Sequence, residues 1–553
     1  MLYCGEIVAT ASPTVLTTLF VAFLASVVGL WLAAVRRRAL QCEHALPISP
    51  PGALPYFGHL FQASDGPTLR GKLRELGALY ASHEVFSLRL GPVHVMMLNS
   101  RQAVEELLGR RGKIYSSRPM NVAAKHFFTK QSTAFAPYGP DWKNARTIIN
   151  KSFGQRAISA KALEYMQIES AQLVKRLRDR LLLQVDQSAT QSFDDAGVPR
   201  ELTRFGLGNS WRIIFDGQEL RDEDVQEAME AVQWITKYAG IRSRLSQLFP
   251  ALEHLPGFLN GEIRLIRQAR QRLMDIFLPR YFELLNAELD QVEKNRSGVH
   301  KDAHDDAAES GHDYHARFVA GKEARRELGC ERARFLITGL LSASGDTTSG
   351  SLLWTLCYLA EYPEVQRKAQ ALLDDAFGQL DAPPTFDSER EQAEAWAYIR
   401  AIVKEQSRLS PVSPTNGPRR CDADDVYKGV LIPKGSIVFI NAGHILRDAR
   451  VYDEPLRFKP ERWLEADRAA SVGDLLHDVW PFGFGRRGCP GIHLATQALP
   501  MALMHILLNF NIGQLHSTRP LDTAGDLGKG EIVVAPDVSN ITLSLREPHG
   551  IVE

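Results

Sequence analysis

Apolar residues return every three or four positions over long stretches of this chain. The clearest are about Ala160–Leu183, Asp224–Tyr238, Gly261–Arg296, Ala324–Glu361 and Pro363–Phe377. That period predicts helices with one or more buried faces. Alternation with period two is confined to short runs. Val85–Leu90 and His94–Leu98 flank Gly91-Pro92 and predict a hairpin. Tyr427–Ile440 alternates around a Pro433-Lys434-Gly435 turn, and Ile532–Leu545 is a weaker strand region. The fold class expected is mainly α with a small β-sheet region. Gly298–Asp313 is rich in His, Asp and Ala and predicts a surface loop. His300, His304, His312 and His315 read there as solvated side chains rather than as a metal site.

One hydrophobic stretch has no polar face at all. Ile7–Val35 contains no charged residue, and Arg36-Arg37-Arg38 come at once after it. About 20 apolar residues suffice to cross a bilayer as a helix. Basic residues after the span place the rest of the chain in the cytosol. A cleaved signal peptide would carry its charges first and have a shorter apolar core. Residues 1–38 are therefore expected to be an uncleaved N-terminal transmembrane anchor with a basic stop. Proline recurs in Leu46–Pro55, which stiffens the chain. Residues 39–58 read as a proline-rich hinge, and 59–553 as one large catalytic domain.

Composition narrows the possibilities. Lysine plus arginine equals aspartate plus glutamate over the 553 residues, so no global charge points to nucleic acid. Six cysteines, at 4, 42, 330, 357, 421 and 489, show no paired spacing. That suits a reducing compartment better than a disulfide framework. No nicotinamide or flavin fingerprint is present.

The densest chemistry lies in Phe482-Gly483-Phe484-Gly485-Arg486-Arg487-Gly488-Cys489-Pro490-Gly491. A thiolate needs nearby positive charge or N–H donors. Arg486 and Arg487 are placed to supply charge, and a helix opening at Gly491 would aim donors at the sulfur. Gly483, Gly485 and Gly488 allow a tight loop that could lie against a planar cofactor. A zinc site pairing Cys489 with His493 lacks the further ligands that structural zinc requires. A second group is Ala343-Ser344-Gly345-Asp346-Thr347-Thr348, inside a long apolar helix. There the Thr347 hydroxyl can bond back to the Ala343 carbonyl or release it and widen the turn. Glu405 and Arg408 sit three apart on one helical face.

Taken together these segments resemble the cytochrome P450 family of haem-thiolate monooxygenases. Phe-x-x-Gly-x-Arg-x-Cys-x-Gly is matched by Phe482, Gly485, Arg487, Cys489 and Gly491. Residues 343–348 resemble the oxygen-activation motif, with Ser344 where glycine is usual. Glu405 and Arg408, with Arg462 in Phe458–Trp463, resemble the Glu–Arg–Arg cluster. Trp142 and Arg146 resemble the family's Trp-x-x-x-Arg helix.

The resemblance implies haem b with Cys489 as its axial thiolate. It implies Trp142, Arg146, Arg419 and Arg487 around the propionates, and Phe482 in the cofactor loop. Asp346 would be the proton source, and Thr347 the hydroxyl that passes the proton on. Glu405, Arg408 and Arg462 would be structural. Electrons would come from a separate NADPH-cytochrome P450 reductase, with cytochrome b5 as a further donor. The substrate would be an apolar small molecule. It would be contacted by Asn121–Phe135, the Phe205–Phe258 region, the helix before Ala343 and Val412–Thr415. Asp424–Gly429 and Ile432–Gly435 are most similar to fungal members that act on secondary metabolites. The anchor would set the domain on the cytosolic side of the endoplasmic reticulum membrane. Two rivals stay open: a haem-thiolate isomerase or dehydratase that needs no external electrons, and a non-enzymatic haem-binding protein.

Overall fold

The computed structural model describes residues 45–55, 57–64, 69–120, 124–128, 132–155, 158, 160–185, 197–215, 217–226, 229–230, 263–271, 330–377, 384–389, 392–464, 481–513, 528–529, 533–536 and 541–546, with positions 26 and 29. The expected anchor, except Ser26 and Gly29, and the histidine-rich loop lie outside these residues. So do Asn121 and most of 231–329. No helix among the described residues is long and apolar enough to cross a membrane.

Eight longer helices among the described residues carry the architecture. They are α1 (Leu69–Leu79), α2 (Pro140–Phe153), α3 (Ala160–Val185), α4 (Gly197–Ile214), α5 (Cys330–Glu361), α6 (Pro363–Phe377), α7 (Ala393–Leu409) and α8 (Ile492–Asn509). Proline opens both α2 and α6. Its fixed φ suits the first helical turn, where its missing N–H has no intrahelical partner to lose. The predicted helices at 160–183, 324–361 and 363–377 are found, although the described part of α5 begins at Cys330. The described parts of the segments expected at 224–238 and 261–296 are also helical.

The strands are short: β1 (Val85–Leu90), β2 (Val93–Leu98), β3 (Arg419–Arg420), β4 (Asp425–Tyr427), β5 (Val430–Ile432), β6 (Ile437–Ile440), β7 (Phe510–Ile512), β8 (Gly528–Lys529), β9 (Ala535–Pro536) and β10 (Leu543–Leu545). The main sheet has four strands in the order β1-β2-β6-β3. The β1–β2 hairpin pairs Val85 with Leu98 through Leu90 with Val93, and β6 runs parallel to β2. The strand-like region expected at Tyr427–Ile440 is found as short pieces, and the described parts of Ile532–Leu545 contain β9 and β10. The architecture is mainly helical with small sheets.

Within the stretch read as a proline-rich hinge, the described residues from 45 onwards run along the sheet. Ser87 N–H donates to the Ile48 carbonyl at 2.7 Å, and its hydroxyl donates to that of Pro47 at 2.9 Å. Buried His59 meets the Pro50 carbonyl at 2.8 Å and accepts the Arg89 N–H at 2.9 Å. Proline stiffness is thus used to follow a surface rather than to span a gap.

One core lies among the helices, with Trp354 and Trp396 among its largest buried side chains. A second lies against the sheet, around Met96, Leu98, Val438 and Ile440. Helix α5 crosses α4 at unusually close range. A Cβ on Gly206 would stand 2.6 Å from the Ser344 carbonyl oxygen and 3.1 Å from that of Gly345. A Cβ on Gly345 would stand 3.0 Å from the Leu207 side chain. Helix propensity alone marks Gly345 as a weak point in its helix. Its structural role is to let α4 approach, and α5 runs through it unbroken.

This packing has two measurable consequences. Gly206→Val should destabilise the fold by about 2–3 kcal/mol, because the added methyls meet backbone atoms that cannot rotate away; a lowered urea midpoint would show it. His505 on α8 is buried, meets the Pro384 backbone carbonyl, and is pushed by burial from 6.5 down to about 4. Between these values the unfolded chain binds the proton and the folded one does not. Stability should therefore fall by about 3 kcal/mol as the pH drops from 6.5 to 4. His505→Gln should flatten that slope in urea titrations run across this range.

Candidate haem-thiolate site

Cys489 leads into α8. Its N–H donates to the Phe482 carbonyl at 2.7 Å, closing the loop between them. Gly483 and Gly485 have φ of +77° and +59°, a region L-residues with side chains rarely adopt. A Cβ on Gly485 would also press on the Leu108 carbonyl oxygen, 2.3 Å away. Gly488 differs from expectation, since its φ is −54°. It contributes a carbonyl, which accepts Arg146 Nη2 at 2.5 Å. The Phe482 and Phe484 rings pack partly buried against the sheet core.

Cys489 is exposed among the described residues, although protein atoms crowd around its sulfur. Burial raises its pKa above the ordinary thiol value, while the Gly491 N–H and the Arg146 charge act the other way. The helix-opening donor expected at Gly491 is present. The charge does not come from the neighbours in sequence. Arg487 turns away from Cys489 and donates to three carbonyls, Ser116 at 2.6 Å, Thr133 at 3.0 Å and Ala136 at 2.6 Å. Arg486 is exposed and reaches the Tyr138 hydroxyl at 3.2 Å. Adjacent residues in a tight loop point to different sides, so chain proximity misidentifies the cation. Arg146, far off in sequence, supplies it.

Four arginines gather beside this loop. Arg487 lies 4.3 Å above the Trp142 ring, whose N–H donates to the Thr133 carbonyl at 3.0 Å. Arg419, on β3 and buried, donates to the Phe484 carbonyl at 2.6 Å, while its Nη1 is buried with no hydrogen-bond partner among the described residues. Arg118 donates to the carbonyls of Pro418 at 2.6 Å and Ala134 at 2.9 Å. None of the four, Arg146 included, has a carboxylate partner among the described residues. Burial drives Arg118 down to about 10. Burial, then repulsion by Arg118, drives Arg419 to about 9. Burial, then repulsion by Arg118, Arg419 and Arg146, drives Arg487 to about 8. Guanidinium does not readily surrender its proton. The shifts therefore express an unmet demand for negative charge.

Sequence patterns reveal three of these cations and miss Arg118. It stands alone in a loop, with no periodic spacing or partner residue to mark it. Only its three-dimensional proximity to Pro418 reveals it.

On the other wall, Thr347 Oγ1 donates to the Ala343 carbonyl at 2.6 Å, the closed form of the two anticipated. Ser344 Oγ donates to the Leu341 carbonyl at 2.8 Å. Asp346 is half-buried one residue before Thr347. Helix α5, which carries this motif, packs on α8, the helix that follows the cysteine loop.

The Glu405 network is complete. Arg408 grips Glu405 through two bonds of 3.0 and 2.8 Å, with both side chains fully buried. Arg462 Nε at 3.0 Å and Trp463 Nε1 at 2.8 Å saturate the same carboxylate. Arg408 and Arg462 then reach the carbonyls of Leu446, Pro455 and Asp453. A helical pair thereby fixes the irregular stretch 446–463.

A mainly helical fold, a cysteine with an N–H on its sulfur and an arginine cluster with no carboxylate partner among the described residues are the features a haem-thiolate protein needs. The family profile described as Cytochrome P450 matches residues 48–537. The chain therefore belongs to the cytochrome P450 family, whose members are monooxygenases that use haem with a cysteine thiolate ligand. It is 28% identical over 489 residues to tryptamine 4-monooxygenase of Psilocybe cyanescens, covering 87% of this chain and 88% of the relative. It is 30% identical over 429 residues to cytochrome P450 monooxygenase aneD of Aspergillus aculeatus, covering 76% and 73%. A zebrafish cytochrome P450 solved with progesterone shares the fold, with a TM-score of 0.61 and 22% identity, over 86% of this chain and 99% of that one.

Glu405→Gln should be among the most damaging single changes outside the cofactor loop. It leaves two buried guanidiniums without their counter-charge, at roughly 3–5 kcal/mol. Purified yield and the denaturation midpoint should both drop sharply, whereas Lys368→Gln, at an exposed ion pair with Glu461, should change the midpoint by less than about 1 kcal/mol.

Proposed function

We propose that Cys489 is the axial ligand of haem in this chain, and that the enzyme oxidises an apolar small molecule with electrons from a separate NADPH-dependent reductase. The observation that carries the first part is the arginine cluster. Four cations, Arg419 and Arg487 buried and Arg118 and Arg146 half-buried, have no carboxylate partner among the described residues, and one has an orphaned Nη1; they match a planar group that carries two carboxylates. Arg118, Arg146, Arg419 and Arg487 would hold those carboxylates, with Trp142 fixing the Arg487 plane. Gly491 N–H and Arg146 would favour the thiolate. The bound haem supplies dioxygen activation, aided by electron donation from the thiolate.

The chain's own residues do the rest. The Thr347 hydroxyl, now bonded to Ala343, can rotate to donate into the site, and Asp346 beside it can replace the proton. Apolar residues around the site would exclude water and orient substrate. The aromatic residues Phe127 and Phe135 line the expected contact region, Phe127 being buried and Phe135 partly so. This supports an apolar substrate. Similarity to two fungal monooxygenases supports a place in fungal secondary metabolism. The charge-free stretch 7–35 with its arginines supports anchoring in the endoplasmic reticulum membrane.

The test is the carbon monoxide difference spectrum of the reduced protein. A strongly red-shifted Soret band in the wild type, lost in Cys489→Ala, is expected. A band unchanged by that substitution would remove Cys489 as the ligand.

A further inference from the structure

Asn416 occupies an unusual position that the signature motifs do not cover. Its φ is +55°, in the left-handed region that asparagine tolerates better than most residues. It forms a turn by donating its N–H to the Ser413 carbonyl at 3.2 Å. The turn and the backbone angle are compatible with glycine, so they do not explain a side-chain amide. That amide is not idle surface either. Its Nδ2 is buried and has no hydrogen-bond partner among the described residues. A buried unpaired amide costs free energy comparable to a lost hydrogen bond.

The surroundings identify what is missing. A Cβ on Gly483, in the loop before Cys489, would lie 3.9 Å from Asn416 Oδ1. On the other side, a Cβ on Gly417 would lie 3.1 Å from Arg118 Nη1. Arg118 also donates to the carbonyl of Pro418, and Arg419 to that of Phe484. The amide thus stands between the cofactor loop and the arginine cluster. The orphaned Nη1 of Arg419, three residues on, belongs to the same cluster.

The geometry points to Asn416 as a further haem-holding residue, whose amide N–H donates to a carboxylate of the cofactor alongside the arginines. This rests on the haem-thiolate reading above. A neutral donor suits the place. The four guanidiniums already repel one another, and a fifth cation would add to that repulsion. An amide adds a bond to the anion without adding charge. The left-handed backbone points the amide where a right-handed residue would not reach.

The test uses the full haem-loaded protein and two substitutions that both accept positive φ. Asn416→Gly keeps the turn and removes the donor. Asn416→Asp keeps the shape and replaces the donor with an acceptor. Haem transfer to excess apomyoglobin is expected to be about tenfold faster in Asn416→Gly, the effect of one lost bond to a charged group. It should be faster still in Asn416→Asp. The ferric/ferrous potential should fall in both, and further in Asn416→Asp, because uncompensated negative charge near the iron favours the ferric form. A residue that only shapes the turn would move neither quantity in Asn416→Gly. If wild type and both variants share one transfer rate and one potential, this inference is overturned while the haem-thiolate assignment stands. If the wild-type protein takes up no haem, the two fall together.

Discussion

The arrangement on which the rest depends is a set of like charges held together with no carboxylate partner among the described residues. Arg118, Arg146, Arg419 and Arg487 come from a loop, helix α2, strand β3 and the cysteine loop. Each is anchored by backbone carbonyls, which fix direction but do not neutralise charge. Carbonyl dipoles lower the cost of burying a guanidinium, yet mutual repulsion remains. Such a cluster favours an anionic ligand, and under the haem reading proposed above the two carboxylates of the cofactor would relieve that repulsion. Cofactor uptake and stability are coupled by the same charges.

The thiolate is tuned by a balance rather than by one strong neighbour. Burial opposes its charge, and the Gly491 N–H and Arg146 favour it. Arg146 serves both ends, reaching the Gly488 carbonyl beside the sulfur while belonging to the cationic cluster. The Glu405 network acts at a distance. It locks the irregular chain between Leu446 and Trp463 through carbonyl bonds that side-chain packing could not replace.

Much of this is legible in the sequence, for reasons that can be separated. The helices are visible because apolar spacing reports burial directly. The cysteine loop, Glu405–Arg408 and Trp142–Arg146 are visible because each is a short run at fixed spacing, even though Trp142, Arg146 and Glu405 find partners far off in sequence. Gly483 and Gly485 announce backbone angles closed to other residues. The illegible part is tertiary. Arg118 and Asn416 carry no local pattern, and their meaning arises only when loops far apart in sequence meet. Proximity along the chain assigns Arg487 and Arg486 to the sulfur, but a short 3-10 turn sends them elsewhere. Proline content marks the hinge as stiff, yet stiffness fixes the chain's rigidity and not the surface it lies along.

The departure at Ser344 shows how local geometry decides what a substitution means. A serine in place of glycine should narrow and polarise the groove beside the cofactor. In the fold its hydroxyl donates to Leu341 one turn back, so the donor it brings is spent within the helix. The close approach on the far side of α5 is made by Gly206, against the Ser344 carbonyl rather than its side chain. Helix α4 thus buttresses the backbone at the point where α5 carries Asp346 and Thr347. The small residue that a tight helix crossing needs has been supplied by Gly206 and Gly345, leaving position 344 free to carry a hydroxyl. The polar groups that remain for chemistry are then Thr347, held ready on Ala343, and the carboxylate beside it.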